Sequence, residues 1–314
     1  MKKVLIFFKK ILLLLLLFFI VDYLSGIALK RMFYKQTSGK YYTTTHGLLH
    51  AEERIMIFGN SHANEHFNAP LMERRLKQST FNFGNQGQSI LYQYPLIKSI
   101  LKDHQPKLVI ITLDAYALQY IEDDYHRLSI YLPFRGLNSY VDSAIALINK
   151  NEIYKSLSSL YRYNSALGYI LLSTYKSGYN KSYESKGYDP VEGTICNKNP
   201  LKDETVGSRK STAEFNIDSL KISYLSNLID ELNARQIKTV FVKTPMYDNS
   251  QTKDDMCSIA LKKLLVTKDA TFWDFSSDAK FFRKCELFSD PTHLNTIGAT
   301  MFTEYVIEKL QPIL

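Results

Sequence analysis

Arg54-Ile55-Met56-Ile57-Phe58 runs directly into Gly59-Asn60-Ser61-His62. The apolar run has strand length, and the glycine ends it in a turn, so it reads as a buried strand. Thr80-Phe81-Asn82-Phe83 is a second strand, stopped by Gly84-Asn85-Gln86-Gly87. Leu108-Val109-Ile110-Ile111-Thr112-Leu113 is apolar without alternation, as in strands covered on both faces of a parallel sheet. Helical patterns separate these strands. Leu71–Leu76 starts near Pro70, a favoured first-turn residue, and Leu91–His104 carries Leu96, Ile97, Ile100 and Leu101 on one stripe.

The same alternation returns near the C-terminus. An amphipathic helix over 217–235 precedes the strand Thr239–Val242, a helix near 254–266 precedes Thr271–Phe275, and a last helix covers roughly 295–311. Strand–helix alternation with right-handed crossovers predicts a three-layer α/β/α fold around a parallel, flavodoxin-like sheet. Between about 120 and 215 the alternation fails. Helical patterns at 138–150, 152–160 and 164–174 lead into a polar, Tyr-rich stretch over 175–188, read as an insertion with an irregular surface loop. No internal repeat is visible.

The 314 residues are 45% hydrophobic and 22% charged, which excludes disordered and low-complexity classes. The net charge of +8 is concentrated at the N-terminus. Residues 1–40 hold eight Lys and Arg against Asp22 alone, a net of +7, while the remainder balances 31 basic with 30 acidic side chains. The body is therefore near neutral and carries no basic footprint for nucleic acid.

Lys9-Lys10 is followed by the uninterrupted apolar run Ile11–Val21, then Asp22-Tyr23, then Leu24–Leu29 before Lys30-Arg31. Ile11 to Leu29 is 19 residues, about 28 Å of helix against a hydrocarbon core of ~30 Å. The four preceding lysines favour a cytoplasmic N-terminus, with the body on the periplasmic side of a bacterial inner membrane. Two readings stand: an uncleaved transmembrane anchor over 1–35, or a signal peptide with Gly26 and Ala28 before the cut. Residues 36–53 read as a polar tether, and 54–314 as the folded domain. Cys196, Cys257 and Cys285 show no metal-ligand spacing; one disulfide with one remaining thiol suits an exported chain, and spacing does not choose the pair.

In sheets of this kind ligands sit at the carboxyl ends of the strands. Three distant pieces end there. Gly59-Asn60-Ser61-His62 projects the Ser61 hydroxyl from a sharp turn, and Asn82–Gly87 lets backbone N–H groups approach a ligand. Asp290-Pro291-Thr292-His293 lets a carboxylate orient an imidazole whose other nitrogen can take a serine proton. His62 and His66 read as rim or packing residues.

These pieces together resemble the SGNH hydrolase superfamily of GDSL-like esterases and lipases, over about 54–116 and 217–310. The resemblance implies a nucleophile at Ser61, with Asn60 in place of the usual Asp. It also implies a backbone oxyanion donor at Gly87, an orienting Asp290 and a general base at His293. The third block departs. The family has Gly-x-Asn-Asp, but Thr112-Leu113-Asp114-Ala115-Tyr116 puts Tyr116 where the oxyanion-binding Asn belongs. Losing such a donor costs ~3–4 kcal/mol of transition-state stabilisation, so Tyr116 or the Asn85 side chain is expected to substitute.

Gln86–Tyr94 and Leu157–Ser165 also look like segments of membrane-anchored Bacteroidetes proteins. The resemblance implies acyl transfer without metal or organic cofactor. Three expectations follow: an anchored esterase or deacylase of acylated envelope glycans, an O-acyltransferase on the same scaffold, or a binding protein that kept the fold without catalysis.

Overall fold

The computed structural model describes residues 2–175, 185–196, 216–248 and 256–314. Much of the Tyr-rich loop and of the stretch up to residue 215 lies outside them. In chain order the elements are α1 (Lys2–Phe33), α2 (Gly39–Leu49), β1 (Ile55–Phe58), α3 (Ser61–His66), α4 (Ala69–Leu76), β2 (Thr80–Asn82), α5 (Ile90–Asp103) and β3 (Leu108–Thr112). Then come α6 (Glu122–His126), α7 (Ser139–Ile148), α8 (Glu152–Lys155), α9 (Leu167–Tyr175), α10 (Ser219–Ala234), β4 (Lys238–Lys243), α11 (Met256–Thr267), β5 (Phe272–Asp274) and α12 (Thr296–Leu310). Short 3-10 turns occupy Arg127–Phe134, Tyr161–Ala166 and Cys285–Leu287.

The strands pair in parallel in the order β2-β1-β3-β4-β5, the flavodoxin-like arrangement. Period-two geometry sends alternate side chains to opposite faces. Met56, Phe58, Val109, Ile111 and Phe241 enter one core, built with α2, α5, α7, α10 and α11. Ile55, Ile57, Ile110, Val240 and Val242 enter the other, with α3, α4 and α12. Both faces of β1 and β3 are thereby buried, which is why those strands are apolar throughout.

The expected tether over 36–53 is instead largely α2, packed on the domain. The Thr44 hydroxyl shares a 2.9 Å hydrogen bond with the Tyr92 hydroxyl, and the Tyr41 hydroxyl donates to Ser165 Oγ at 3.1 Å. Gly47 lies so close to Leu96 and Phe83 that a Cβ there would stand 2.8 Å from Leu96 Cδ1.

α1 is also only partly free. Its most apolar 18-residue window has a mean hydropathy of 2.9, long and apolar enough to cross a membrane, and its apolar side chains from Val4 to Leu24 are exposed. Its last turns dock: Gly26 is buried against Ser159, and Phe33 packs edge-on against Tyr41, Phe134 and Tyr163. A cut at Gly26 or Ala28 would strip part of this packing from the domain. Cys196 and Cys285 form a disulfide that ties the later part of the insertion to the segment before Asp290, while Cys257 is buried on α11.

Candidate active site

β1 ends at Phe58, and Gly59 turns the chain with φ of 153°, in the positive range that side chains disfavour. A Cβ at Gly59 would lie 1.9 Å from Thr112 Oγ1 at the end of β3, so only glycine fits between the two strand ends. Asn60 then caps α3 by accepting the His62 N–H at 2.9 Å. Ser61 is the first residue of α3, and its backbone N–H has no intrahelical partner. The helix is fixed from β2, where buried Asn82 donates through Nδ2 to the carbonyls of Ala63 and Phe67 at 2.7 and 2.9 Å. Gly84 completes the fit, since a Cβ there would stand 2.4 Å from the Asn64 nitrogen.

The second arm comes from the loop before α12. Asp290 Oδ1 accepts the N–H groups of Thr292 and His293 at 2.8 and 3.0 Å, closing a tight turn. Ser289 N–H donates to the His293 carbonyl, and the Leu294 N–H donates to Nε2 of fully buried His66 at 3.0 Å. His66 thus holds the backbone next to His293.

These constraints bring the two arms together. Ser61 Oγ and His293 Nε2 are 2.8 Å apart, and His293 Nδ1 is 2.8 Å from Asp290 Oδ2. Opposed by burial, the Asp290 carboxylate and, behind it, Glu65 hold His293 above its ordinary value. Burial would raise Asp290, but the His293 hydrogen bond and charge and the Thr292 donors hold it down at about 2. Burial, reinforced by His293, pushes His62 down to about 3, and His66 falls well below its ordinary value for the same reason. Of the three clustered imidazoles, His62 and His66 are held below their ordinary value and His293 above it.

The predicted oxyanion residues divide. Gly87 and Tyr116 line one cavity of about 170 Å³ together with Asn60, Thr112, Asp114 and Lys221. Gly87 has φ of 69°, and no hydrogen bond among the described residues uses its N–H. Its carbonyl accepts from Arg127 Nη1 at 2.9 Å. Asn85 does not take the expected place. Its Nδ2 donates to the Lys40 carbonyl and the Tyr92 hydroxyl at 3.1 and 3.3 Å, which uses its donors to lock the loop onto α2 and α5.

Two site residues escaped the sequence reading. Asp114 accepts from Asn60 Nδ2 at 2.8 Å, so the end of β3 braces the residue before Ser61. Glu65 is buried, with Oε2 4.0 Å from His293 Nε2 and Oε1 accepting from Gln86 Nε2 at 2.8 Å. The signal for Glu65 was its i, i+4 spacing from Ser61, which places both on one side of α3. Glu65→Gln is expected to move the acid limb of the pH–rate profile to lower pH, because one of the groups raising His293 is lost. It should lower the plateau roughly 3- to 10-fold, as the imidazolium formed in the reaction loses a neighbouring charge. Steady-state rates across pH would show both changes.

No protein-family model and no curated protein matches the chain. Among solved structures, it is similar to a lipolytic protein of the G-D-S-L family from Desulfitobacterium hafniense DCB-2 at 10% identity and a TM-score of 0.40, covering 81% of this chain and 97% of that one. An acetyl xylan esterase is similar at 15% and 0.38, covering 83% and 99%. An acylhydrolase from Bacteroides fragilis NCTC 9343 is similar at 12% and 0.39, covering 85% and 94%. Likeness at this level carries no residue assignment to the chain.

Proposed function

We propose that the chain is an SGNH-type serine esterase, held at the bacterial inner membrane by α1, that removes O-acyl groups from glycans on the periplasmic side. The observation that carries this reading is the continuous hydrogen-bonded line Ser61–His293–Asp290. The export half is supported by the lysines ahead of the apolar run and by the Cys196–Cys285 disulfide, which suits an oxidising compartment.

In the proposed reaction, His293 Nε2 takes the Ser61 proton as Oγ attacks the ester carbonyl. Asp290 keeps the other ring nitrogen protonated and stabilises the imidazolium. The N–H groups of Ser61 and Gly87 receive the oxyanion, with the Tyr116 hydroxyl as the third candidate donor. His293 then protonates the leaving alcohol, and a water deprotonated by His293 resolves the acyl-Ser61 ester.

The test is acetate release from 4-nitrophenyl acetate and from an O-acetylated oligosaccharide. Because His293 must be neutral to act as base and is held above the ordinary 6.5, kcat/KM should rise with pH along a limb above that value and then level off. A rate independent of pH across that range would count against His293 as the base.

One observation favours a second reading, O-acyl transfer. Ile121, Asp124 and Arg127, from the start of the insertion, wall the cavity beside Asn60 and Gly87. An acceptor sugar seated there would compete with water for the acyl-enzyme. Acylated oligosaccharide appearing at the expense of free acetate would mark that outcome.

A further inference from the structure

Between Lys10 and Asp22 the chain offers only Ile11–Val21, 11 residues or about 16 Å of helix, half of a ~30 Å hydrocarbon core. A span that keeps Lys9 and Lys10 at the cytoplasmic face therefore continues through Asp22–Leu29. Those turns are the ones docked on the domain. The Asp22 carboxylate accepts from Ser158 Oγ at 2.5 Å, from the Ser159 N–H at 2.8 Å and from the Leu160 N–H at 3.1 Å, while Gly26 seats against Ser159. A carboxylate within the outer half of a bilayer costs up to ~3 kcal/mol when bare, and three donors offset that cost here. Whatever depth Asp22 has, residues 158–160 share it.

Among the described residues, the surface flanking this contact exposes large apolar side chains, with Lys155 beside them. Tyr154, Leu157, Leu160, Leu167, Leu171 and Leu172 all expose large side chains, with Tyr154 71%, Leu157 61% and Leu171 53% accessible. They lie on α8, α9 and the turns between; α1 packs on α9, on the Tyr161–Ala166 turn and, through Asp22, on residues 158–160, so the patch adjoins the exposed apolar surface of α1. Lys30 and Arg31 follow on the exposed side of α1, where headgroup phosphates would meet them.

We propose that residues 153–172 form an apolar ledge seated in the outer leaflet around α1, with lipid as its partner. The domain then rests on the bilayer at a set height instead of hanging from a tether, which fixes the distance of the Ser61–His293 pair from the membrane. The proposal depends on α1 being a membrane span, and its test separates the two claims.

The chain has one tryptophan, Trp273, so a Trp273→Phe background allows single reporters. Leu157→Trp, Leu171→Trp and, as a control on α1, Leu15→Trp would be placed in the full chain. Each would be reconstituted into phosphatidylcholine–phosphatidylglycerol vesicles with lipids brominated near the headgroup end or deeper in the acyl chain. The expected result is loss of emission for Leu157→Trp and Leu171→Trp with the shallow bromines, and for Leu15→Trp with the deep ones. Quenching of Leu15→Trp without either ledge reporter overturns the ledge and leaves the span standing. Failure of the Leu15→Trp control overturns both.

Discussion

Ser61→Ala is expected to lower kcat/KM for ester cleavage by roughly 10⁴–10⁶-fold while leaving the fold intact. The Ser61 hydroxyl makes one described side-chain hydrogen bond, to His293 Nε2, and its loss removes no packing from either core. His293→Gln should fall by a similar factor, since serine without a base is a poor nucleophile at neutral pH. The informative variant is the double one. Residues that act as a unit lose most of their effect with the first substitution, so Ser61→Ala/His293→Gln should be little worse than either alone. Multiplying losses would mean that the two act separately. Asp290→Asn should cost less, on the order of 10²–10⁴-fold, and should carry the acid limb to lower pH because the main partner raising His293 is gone. Steady-state kinetics with circular dichroism on each variant separates lost chemistry from lost structure.

Gly59→Ala is expected to damage structure and activity together. The added Cβ would meet Thr112 Oγ1 at 1.9 Å and Ala63 Cβ at 2.8 Å, and φ of 153° is unfavourable for any side chain. Overpacking plus backbone strain costs about 3–5 kcal/mol, enough to shift a thermal transition by many degrees and displace α3 with Ser61 on it. Thr112 Oγ1 is buried with no hydrogen-bond partner among the described residues, so Thr112→Ala should be nearly neutral alone. Added to Gly59→Ala, it relieves the closest contact but not the φ, so partial recovery is expected. Thermal melts of the three variants measure this. Full recovery would assign the whole cost to sterics, and none would assign it to the backbone.

The sheet was legible because β1 and β3 are buried on both faces and their composition records it, so strand positions came within a residue or two. The serine turn and the Asp-x-x-His turn were legible because both are local: Gly59 is forced by φ and Asp290 by its own turn. What stayed hidden is tertiary. Thr43-Thr44-Thr45 are poor helix formers, and α2 exists through its packing on Tyr92, Leu96 and Phe83. Asn85 carries an amide that sequence alone permits to face Ser61, but the Lys40 carbonyl and Tyr92 draw it away. Asp22 looked like a flaw in an apolar run until residues 158–160, far along the chain, supplied its donors. Cysteine spacing likewise left open the pair that folding joins across 89 residues.

The account stands on Ser61 as a nucleophile activated by His293. The most direct measurement is covalent labelling of the full chain with a fluorophosphonate, followed by peptide mass spectrometry. The adduct should fall on Ser61, vanish in Ser61→Ala and form far more slowly in His293→Gln. Labelling that persists in Ser61→Ala, or a wild-type chain that hydrolyses no ester and takes no label, would contradict it and leave a binding protein on an esterase scaffold.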